Sequence, residues 1–398
     1  MTRDEIKIHI ALSLVTGLGA SRIIRLMQAF PNTEEIFSLP EKKIQDIPGF
    51  GKTIASNISK FKDWQRVEQI LSVTDNTDVW MLSINDEDYP PRLRHIYDPP
   101  LIIWGRGNAK ALSRQGVAII GTRKPTAYGR GKASSFAGNL TKTGLSVISG
   151  LAYGVDTLAH TAAVENNGCT IAVLGSGIDK IYPAANKRLV EKIIDKGGAV
   201  ISEFVPGSKP DRENFPTRNR VVSGLSLGVL VVESDVTGGS MITAYSALDQ
   251  GREVFAIPHD ITTQTGKGCN TMIKKGHAKL TMCVEDILEE LNLDWSTLQM
   301  PEADPELQPE LFGNENEADP ASSFKQKLTK SKKTDWRTAK ELSDEMKKLC
   351  ELLDGGEQHI DDLAEKAGKP GHLLLGMLLE LELMEVVKAK SGKRFSLA

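Results

Sequence analysis

The feature that most constrains this chain is a strict alternation, across residues 117–258, of short apolar runs with segments of helical periodicity. Glycine-bounded apolar runs are typical of strands buried on both faces, and strands separated by helices form a parallel sheet. The runs are VAIIG from Val117, LSVISG from Leu145, CTIAVLG from Cys169, AVISE from Ala199, GVLVVES from Gly228 and EVFAIP from Glu253. The sequence therefore predicts an α/β domain with a Rossmann-like parallel sheet.

Residues before this domain contain an internal repeat. VTGLGASRIIRL from Val15 and IPGFGKTIASNI from Ile47 each place a Gly-x-Gly turn between helical segments, the pattern of a helix-hairpin-helix pair. Such a turn leaves bare amides at the start of the second helix, where phosphate oxygens can bind. Only Arg22 and Lys52 add positive charge here. DNA contact and a structural role both stay open for this pair, with packing favoured.

A proline-rich stretch, YPPRL from Tyr89 and YDPPLIIWGRG from Tyr97, predicts an extended lead-in strand and turn.

The composition changes abruptly after the α/β domain. Residues 300–320 contain seven acidic residues, four prolines and no basic residue, whereas residues 324–340 contain seven Lys or Arg residues against one Asp. This composition is typical of a linker. From about Ser343, three helical patterns and a short β-wing indicate a winged-helix domain. We predict a SAM-like helix-hairpin-helix domain over residues 1–75, an extended Rossmann-like domain over 76–295, a flexible linker over 296–342 and a winged helix over 343–398.

The third helix of the winged-helix domain is poorly suited to bind DNA. It carries leucines with Glu380 and Glu382 where a groove-binding helix needs basic residues. Protein contact is therefore favoured, while the wing residues keep DNA contact open. These wing residues are Lys388, Lys390, Lys393 and Arg394.

The overall composition is that of a soluble globular protein, 40% hydrophobic and 25% charged, without an apolar run that could span a bilayer. The N-terminus lacks a secretory signal pattern, so we expect a cytoplasmic protein. Four scattered cysteines predict neither a disulfide framework nor a zinc site. The net charge of -3 conceals a basic middle, where residues 116–280 contain 19 Lys or Arg residues against 13 Asp or Glu residues. That excess suits a polyanionic partner.

The loops after the strands of a Rossmann-like sheet decide what it binds. The first strand ends in Gly121-Thr122-Arg123, which is not the G-x-G-x-x-G of a dinucleotide site, and GFGKT at Gly49 lacks the first glycine of a P-loop. No nucleophile elbow or metal-ligand spacing occurs, so we predict no catalytic residue, cofactor or metal. Asp156 and His160, one helical turn apart, could form a catalytic pair, but a local hydrogen bond that pins the turn is favoured.

Two later loops carry the residue types that bind phosphate. PTRNR from Pro216 presents two arginines at a helix start, and TGGSMITA from Thr237 presents glycines and a hydroxyl at another. The guanidinium fork matches phosphate, and glycine lets amides approach it closely. We expect one of the two arginines to have a structural partner such as Glu233. The candidates from these loops and from GKGCN at Gly266 are Arg218, Asn219, Arg220, Gly239, Ser240, Lys267 and Asn270.

Taken in order, these segments resemble the DNA-processing protein A family, also called DprA or Smf. The resemblance covers residues 89–280 and keeps the family's order and spacing. It rests on YPPRL, AIIGTRKPTAYG, ISGLAYGVDTLAH, TIAVLGSGIDKIYP, GAVISEF, FPTRNRVVSGLS, VLVVES, GGSMITAYSAL, GREVFAIP and GKGCNTMI.

The resemblance implies a cytoplasmic homodimer that binds and protects single-stranded DNA and loads the RecA recombinase onto it during natural transformation. It implies no reaction. The family's DNA-contacting arginine falls on Arg123, and its usual lysine after Tyr-Pro is replaced by Ala184, so Lys180 or Lys187 would supply that charge. The full set of candidate nucleic-acid ligands is Gly121, Thr122, Arg123, Gly150, Lys187, Arg218, Asn219, Arg220, Gly239, Ser240 and Asn270.

An enzymatic alternative is a Rossmann-like nucleotide phosphoribohydrolase similar to the LOG proteins. That group carries P-G-G-x-G-T followed by a glutamate, whereas this chain has ESDVTGGSMITA, with no proline before the glycine pair and no acid after it. A strand-cleaving or strand-joining enzyme would need a nucleophile or metal carboxylates that the motifs do not supply. DNA binding is the favoured function.

Overall fold

The computed structural model describes residues 3–293, 336, 342–384, 386–390 and 392–398, so nearly all of the predicted linker lies outside the described residues. The two Gly-x-Gly turns join helices as the repeat predicts. Gly17 and Gly49 have φ values of +81° and +89°, a region that favours glycine. The N-terminal helices are α1 Arg3–Leu14, α2 Ala20–Ala29, α3 Glu41–Gln45, α4 Lys52–Ser59 and α5 Trp64–Asn76.

A nine-stranded sheet forms the centre of the chain, with strand order β1-β2-β6-β5-β4-β3-β7-β8-β9. Strands β3 to β9 run parallel, while β2 pairs antiparallel with both β1 and β6. The predicted strands are β3 to β8. The strands are β1 Trp80–Ser83, β2 Ile102–Gly107, β3 Gly116–Gly121, β4 Ser146–Ser149, β5 Thr170–Leu174, β6 Ala199–Ser202, β7 Gly228–Glu233, β8 Glu253–Ala256 and β9 Lys279–Leu280.

Helices cover both faces of this sheet, as buried parallel strands require. Val117 and Ile119 of β3 point into one apolar layer, and Ala118 and Ile120 point into the other. The chain adds strands on one side of β3 and then returns to β7 on its other side, so the sheet has its topological switch point between β3 and β7. The helices are α6 Pro91–Arg94, α7 Ala127–Lys142, α8 Val155–Glu165, α9 Lys187–Asp195, α10 Asn214–Leu225, α11 Gly239–Asp249, α12 Lys267–Lys274 and α13 Val284–Glu290.

The proline-rich lead-in differs in part from the prediction. Residues from YDPPLIIWGRG do form a strand, β2, but YPPRL is not extended, because Pro91–Arg94 is a short helix. Proline is favoured at the first helical position, where its missing N–H costs nothing. The turn also buries Leu93 completely. Burial of that leucine against the sheet favours the helix over an extended strand.

The C-terminal residues form three helices and a three-stranded sheet of order β10-β12-β11, as a winged helix requires. This domain packs where the parallel strands begin, since Asp361 contacts Arg252 and Lys393 contacts Glu253 at the start of β8. It therefore lies at the end of the sheet opposite the loops that follow the strands. Its elements are α14 Asp344–Leu353, β10 Gln358–His359, α15 Ile360–Ala367, α16 Gly371–Leu383, β11 Val387–Lys390 and β12 Arg394–Leu397.

Candidate nucleic-acid interface

A groove of about 890 Å³ opens at the carboxyl ends of the parallel strands, beside the switch point between β3 and β7. The loops after strands β3 to β8 and the first turns of α10 and α11 line it. This is where an open α/β sheet binds its ligand. The predicted ligands that line the groove are Gly121, Thr122, Arg123, Gly150, Arg218, Asn219, Gly239 and Ser240.

Arg123 lines this groove with an exposed side chain. Its guanidinium carbon lies 5.4 Å from the centroid of the Phe215 ring, and that of Arg218 lies 5.9 Å from the same centroid. Among the ion pairs of the described residues, none involves Arg123. The side chain is therefore available to an anionic ligand, as the Gly-Thr-Arg turn predicts.

Arg218 lies beneath the groove and has a different role. It is only 4% exposed, and its Nη1 donates hydrogen bonds to the backbone carbonyls of Gly150 and Val173. Burial, which outweighs the attraction of Asp156, lowers the pKa of Arg218 to about 10. This arginine ties α10 to the ends of β4 and β5. Its guanidinium is held by backbone carbonyls and is not free in the way that of Arg123 is.

The Gly150 position explains why the loop after β4 needs glycine. A Cβ on Gly150 would lie 2.5 Å from Nη1 of Arg218, and a Cβ on Gly121 would lie 2.6 Å from a methyl group of Val155. Neither site has room for a side chain. These glycines serve close packing under the groove, and they leave its floor as bare backbone.

Arg220, Asn270 and Lys187 are absent from the groove lining. Arg220 pairs with Glu203 and Asp98, so both predicted arginines have structural partners, and Glu233 is not one of them. Asn270 accepts a hydrogen bond from the His259 amide at 3.0 Å and donates one to the His259 carbonyl at 2.9 Å. Lys187 is exposed at the start of α9.

The Gly-Gly-Ser loop opens α11 at the groove wall. Gly239 has no neighbouring atom within 4 Å of a Cβ placed on it, so the surface at this glycine is open. Ser240 donates to the Ser234 hydroxyl at 2.7 Å, and Asn219 donates to the Gly239 carbonyl at 3.4 Å. The loop thus offers free backbone amides at a helix start, with side chains that hold its shape.

The buried carboxylate of Glu233 joins the start of α7 to the wall of the groove. It accepts from the amide and the hydroxyl of Thr126 at the start of α7, and Thr265 donates to it at 2.5 Å. A Cβ on Gly129 would lie 1.9 Å from this carboxylate. Glu233 is therefore committed to structure, which is why it is not free to pair with an arginine.

Asp156 and His160 do not form a pair, because each is hydrogen-bonded to a different residue. Nδ1 of His160 lies 2.7 Å from the Thr170 hydroxyl, and Asp156 accepts from the Ala152 amide at 3.2 Å. Burial lowers the pKa of His160 to about 3 and raises the pKa of Asp156 above its ordinary value. Asp156 pins the loop after β4, and the neutral His160 is enclosed in the core.

Two groove features were missed or left unassigned by the sequence analysis. Arg212 lines the groove and is exposed, whereas Lys180 pairs with Asp179 at 3.3 Å outside the lining. Tyr182, 41% exposed, has its ring centroid 5.9 Å from that of Phe215. An arginine beside the FPTRNR motif was the available signal for Arg212. Only the fold brings Tyr182 and Phe215 together.

In both flanking domains, groups that could have contacted DNA have partners within the protein. At the first hairpin, the Ser21 amide donates to the carboxylate of Asp98 at 2.9 Å. An internal carboxylate thus occupies the helix start that a phosphate would use. In the wing, Glu357 contacts Lys390 at 2.6 Å and Arg394 at 3.9 Å. The first contact supports a structural role for the hairpin, and the others pair part of the positive charge of the wing within its own domain.

Within the described ranges, no group of His, Cys, Asp and Glu side chains could hold a metal ion. Likewise, in the part of the chain that the structure covers, no helix is long and apolar enough to cross a membrane.

Known proteins are similar to this chain over both the sheet domain and the winged helix. Residues 80–292 match the family model of DNA recombination-mediator protein A, and residues 333–393 match that of the DprA winged helix domain. Protein Smf of Escherichia coli is 37% identical over 78% of this chain and 76% of its own length. DNA processing protein DprA of Bacillus subtilis is 38% identical over 57% of this chain and 76% of its own length.

A solved structure gives the same result. The X-ray structure of DNA processing protein A from Streptococcus pneumoniae covers 73% of this chain and 98% of its own, with a TM-score of 0.62 and 35% identity. A structure of the Helicobacter pylori protein, described by its single-stranded DNA binding mode, covers 55% of this chain with a TM-score of 0.49. By the family match and by the identity and coverage of its relatives, this chain belongs to the DNA recombination-mediator protein A family, also called DprA or Smf.

Proposed function

We propose that this chain is a single-stranded DNA-binding protein that protects incoming DNA and loads the RecA recombinase onto it during natural transformation. The observation that most directly supports this proposal is the proximity of Arg123 to Phe215. Both lie in a groove that is also lined by the first turns of two helices. The exposed guanidinium suits a phosphate, and the aromatic rings of Phe215 and Tyr182 suit an unstacked base. Together these groups suit a single strand.

Binding here is expected to tolerate any sequence. Backbone amides at Gly239 and the exposed guanidinium groups of Arg123 and Arg212 recognise the sugar-phosphate backbone, which is the same for every base. Every base also offers a face to an aromatic ring. A duplex keeps its bases stacked and would gain only the phosphate contacts. We infer preference for single strands without base specificity.

Binding without catalysis is the proposed mode. Among the groove carboxylates, Asp156 bonds to the Ala152 amide, and Asp235 bonds to the Val236 amide and to Gln264. Both therefore have structural partners, and neither is proposed as a general acid or base. A nucleotide phosphoribohydrolase is the alternative outcome of the test below.

RecA loading and homodimer formation are the finer parts of the proposal. The family description as a recombination mediator supports the first. For the second, the outer strand β9 at one edge of the sheet has only two residues and leaves Leu280 and Met282 42% and 67% exposed. Exposed apolar side chains beside a sheet edge are suited to contact with a second copy. We propose that the homodimer acts in the cytoplasm.

Titration of the full chain with an oligo-dT, its duplex and a nucleoside monophosphate tests the proposal, with RecA filament assembly on the oligonucleotide as a second readout. Tight, salt-dependent binding of the single strand and faster filament assembly are expected. Preference for the nucleotide, with release of its base, would overturn the proposal in favour of the hydrolase. Binding without any effect on RecA would overturn the loading role alone.

A further inference from the structure

The first helix after β3 belongs to a segment without acidic residues. From residue 99 to residue 155 the chain contains no Asp or Glu, but it includes Lys124, Arg130 and Lys132 at or near the start of α7. Across the described residues, no ion pair involves any of these three side chains. This end of α7 therefore keeps an uncompensated positive charge next to the groove.

Tyr128 lies between these cations with an exposed but fixed ring. It is 46% exposed, and its hydroxyl donates to the Pro258 carbonyl at 3.3 Å. The His259 ring meets it edge-on, with centroids 5.2 Å apart. Lys132 lies 5.7 Å from the ring centroid, a weak contact that its flexible chain can leave. The ring is thus held in place with a face that a ligand can reach.

This surface is continuous with the groove. Lys124 follows Arg123 directly, and its amide donates to the hydroxyl of Thr122, which lines the groove. Glu233 joins Thr126, the residue that caps α7, to Thr265 on the groove wall. The Tyr128 hydroxyl bonds to a carbonyl just after the carboxyl end of β8. The surface therefore lies at the same end of the strands as the groove.

We propose that Lys124, Tyr128 and Lys132, here called the α7 ledge, form a second contact site for the same single strand beyond the groove. A base would stack on Tyr128 while the two lysines bind the phosphates on either side. The inference rests on the proposed function, because it extends the path of the strand. It assigns Asn270 a positioning role, since Asn270 holds the His259 backbone beside the ring.

The test compares two lengths of fluorescent oligo-dT on the full chain. An oligonucleotide of about 4 nucleotides fills a minimal site, and one of about 16 nucleotides can reach beyond it. Tyr128→Ala should weaken binding of the long oligonucleotide about tenfold and leave the short one unchanged. The double variant Lys124→Gln, Lys132→Gln should lower the salt slope for the long oligonucleotide by about 1.4, which is about 0.7 per phosphate contact.

Two controls isolate the ledge. Tyr128→Phe keeps the ring and should retain affinity, and Lys142→Gln removes an exposed charge from the other end of α7 and should leave the slope unchanged. Loss of short-oligonucleotide binding in Arg123→Ala shows that the groove functions. If that loss is seen while the ledge variants bind the long oligonucleotide like the parent, the ledge is refuted and the proposed function stands. If Arg123→Ala binds both lengths normally, the proposed function fails first.

Discussion

Reversal of the charge at Arg123 is the most direct test of the groove. The side chain is exposed, lies over Phe215 and has no ion pair among the described residues, so its removal should leave the fold intact. A hydrogen bond to a charged group contributes about 1.5–3 kcal/mol, and 1.4 kcal/mol corresponds to a factor of about ten in affinity. Arg123→Glu should therefore weaken single-strand binding at least about tenfold.

The salt dependence separates a phosphate contact from a general loss of structure. Each phosphate contact on a single strand contributes about 0.7 to the slope of log K against log salt concentration. Arg123→Glu removes one contact, so the slope should fall by at least about 0.7. Fluorescence anisotropy over a series of salt concentrations measures both quantities, and circular dichroism checks the fold.

Arg114→Glu is the matched control. Arg114 is exposed just before β3, whereas Arg123 follows β3, so the two arginines lie at opposite ends of one strand, about 20 Å apart at 3.3 Å per residue. The same charge reversal at Arg114 should change affinity less than about twofold. Parental affinity in Arg123→Glu, or equal losses in both variants, would refute the assignment of the groove.

Other positions give further predictions. Gly150→Ala should lower the free energy of unfolding by about 1–3 kcal/mol, because its Cβ would clash with Arg218, whereas Gly239→Ala should have little effect on the thermal midpoint. Deletion of residues 343–398 should leave most single-strand affinity, since that domain packs at the far end of the sheet; loss of most affinity would make the winged helix the main DNA module. Asp361→Asn leaves buried Arg252 without its counter-ion and should weaken docking of the winged helix by about 3–5 kcal/mol, measured by limited proteolysis. Burial lowers the pKa of His359, which lies beside Asp361, so docking should be strongest above about pH 6.5 and weaken as the pH falls through the lowered value; proteolysis independent of pH would contradict this.

The parallel part of the fold was predictable from local patterns. Strands β3 to β8 are buried on both faces, so each is a continuous apolar run that ends where a loop begins. The antiparallel pairing of β2 with β6 was not predictable, because it depends on contacts between segments far apart in sequence. The helical turn at Pro91–Arg94 has the same origin, since burial of Leu93 against the sheet selects it.

The site residues divide along the same line. Gly121, Gly150 and Gly239, which line the groove, could be predicted from the sequence, because loops in which the backbone is approached closely require glycine. The sequence of a motif does not show which way an arginine side chain points in the folded chain. Arg123 lines the groove, whereas Arg220, of the same chemistry, is half-buried and pairs with Glu203. The side chain of Asn270, another polar residue predicted as a ligand, forms its hydrogen bonds with the protein backbone.

By itself, the sequence determined the strands, the turns and the excess of positive charge, because these depend on residue type and short-range spacing. The tertiary structure decided which cations are free. Whether an arginine binds a ligand or an internal carboxylate depends on which distant segments the fold places within about 4 Å of it. Spacing along the chain does not contain that distance, and so only the folded chain shows that Arg212 lines the groove and that the ring of Tyr128 is exposed.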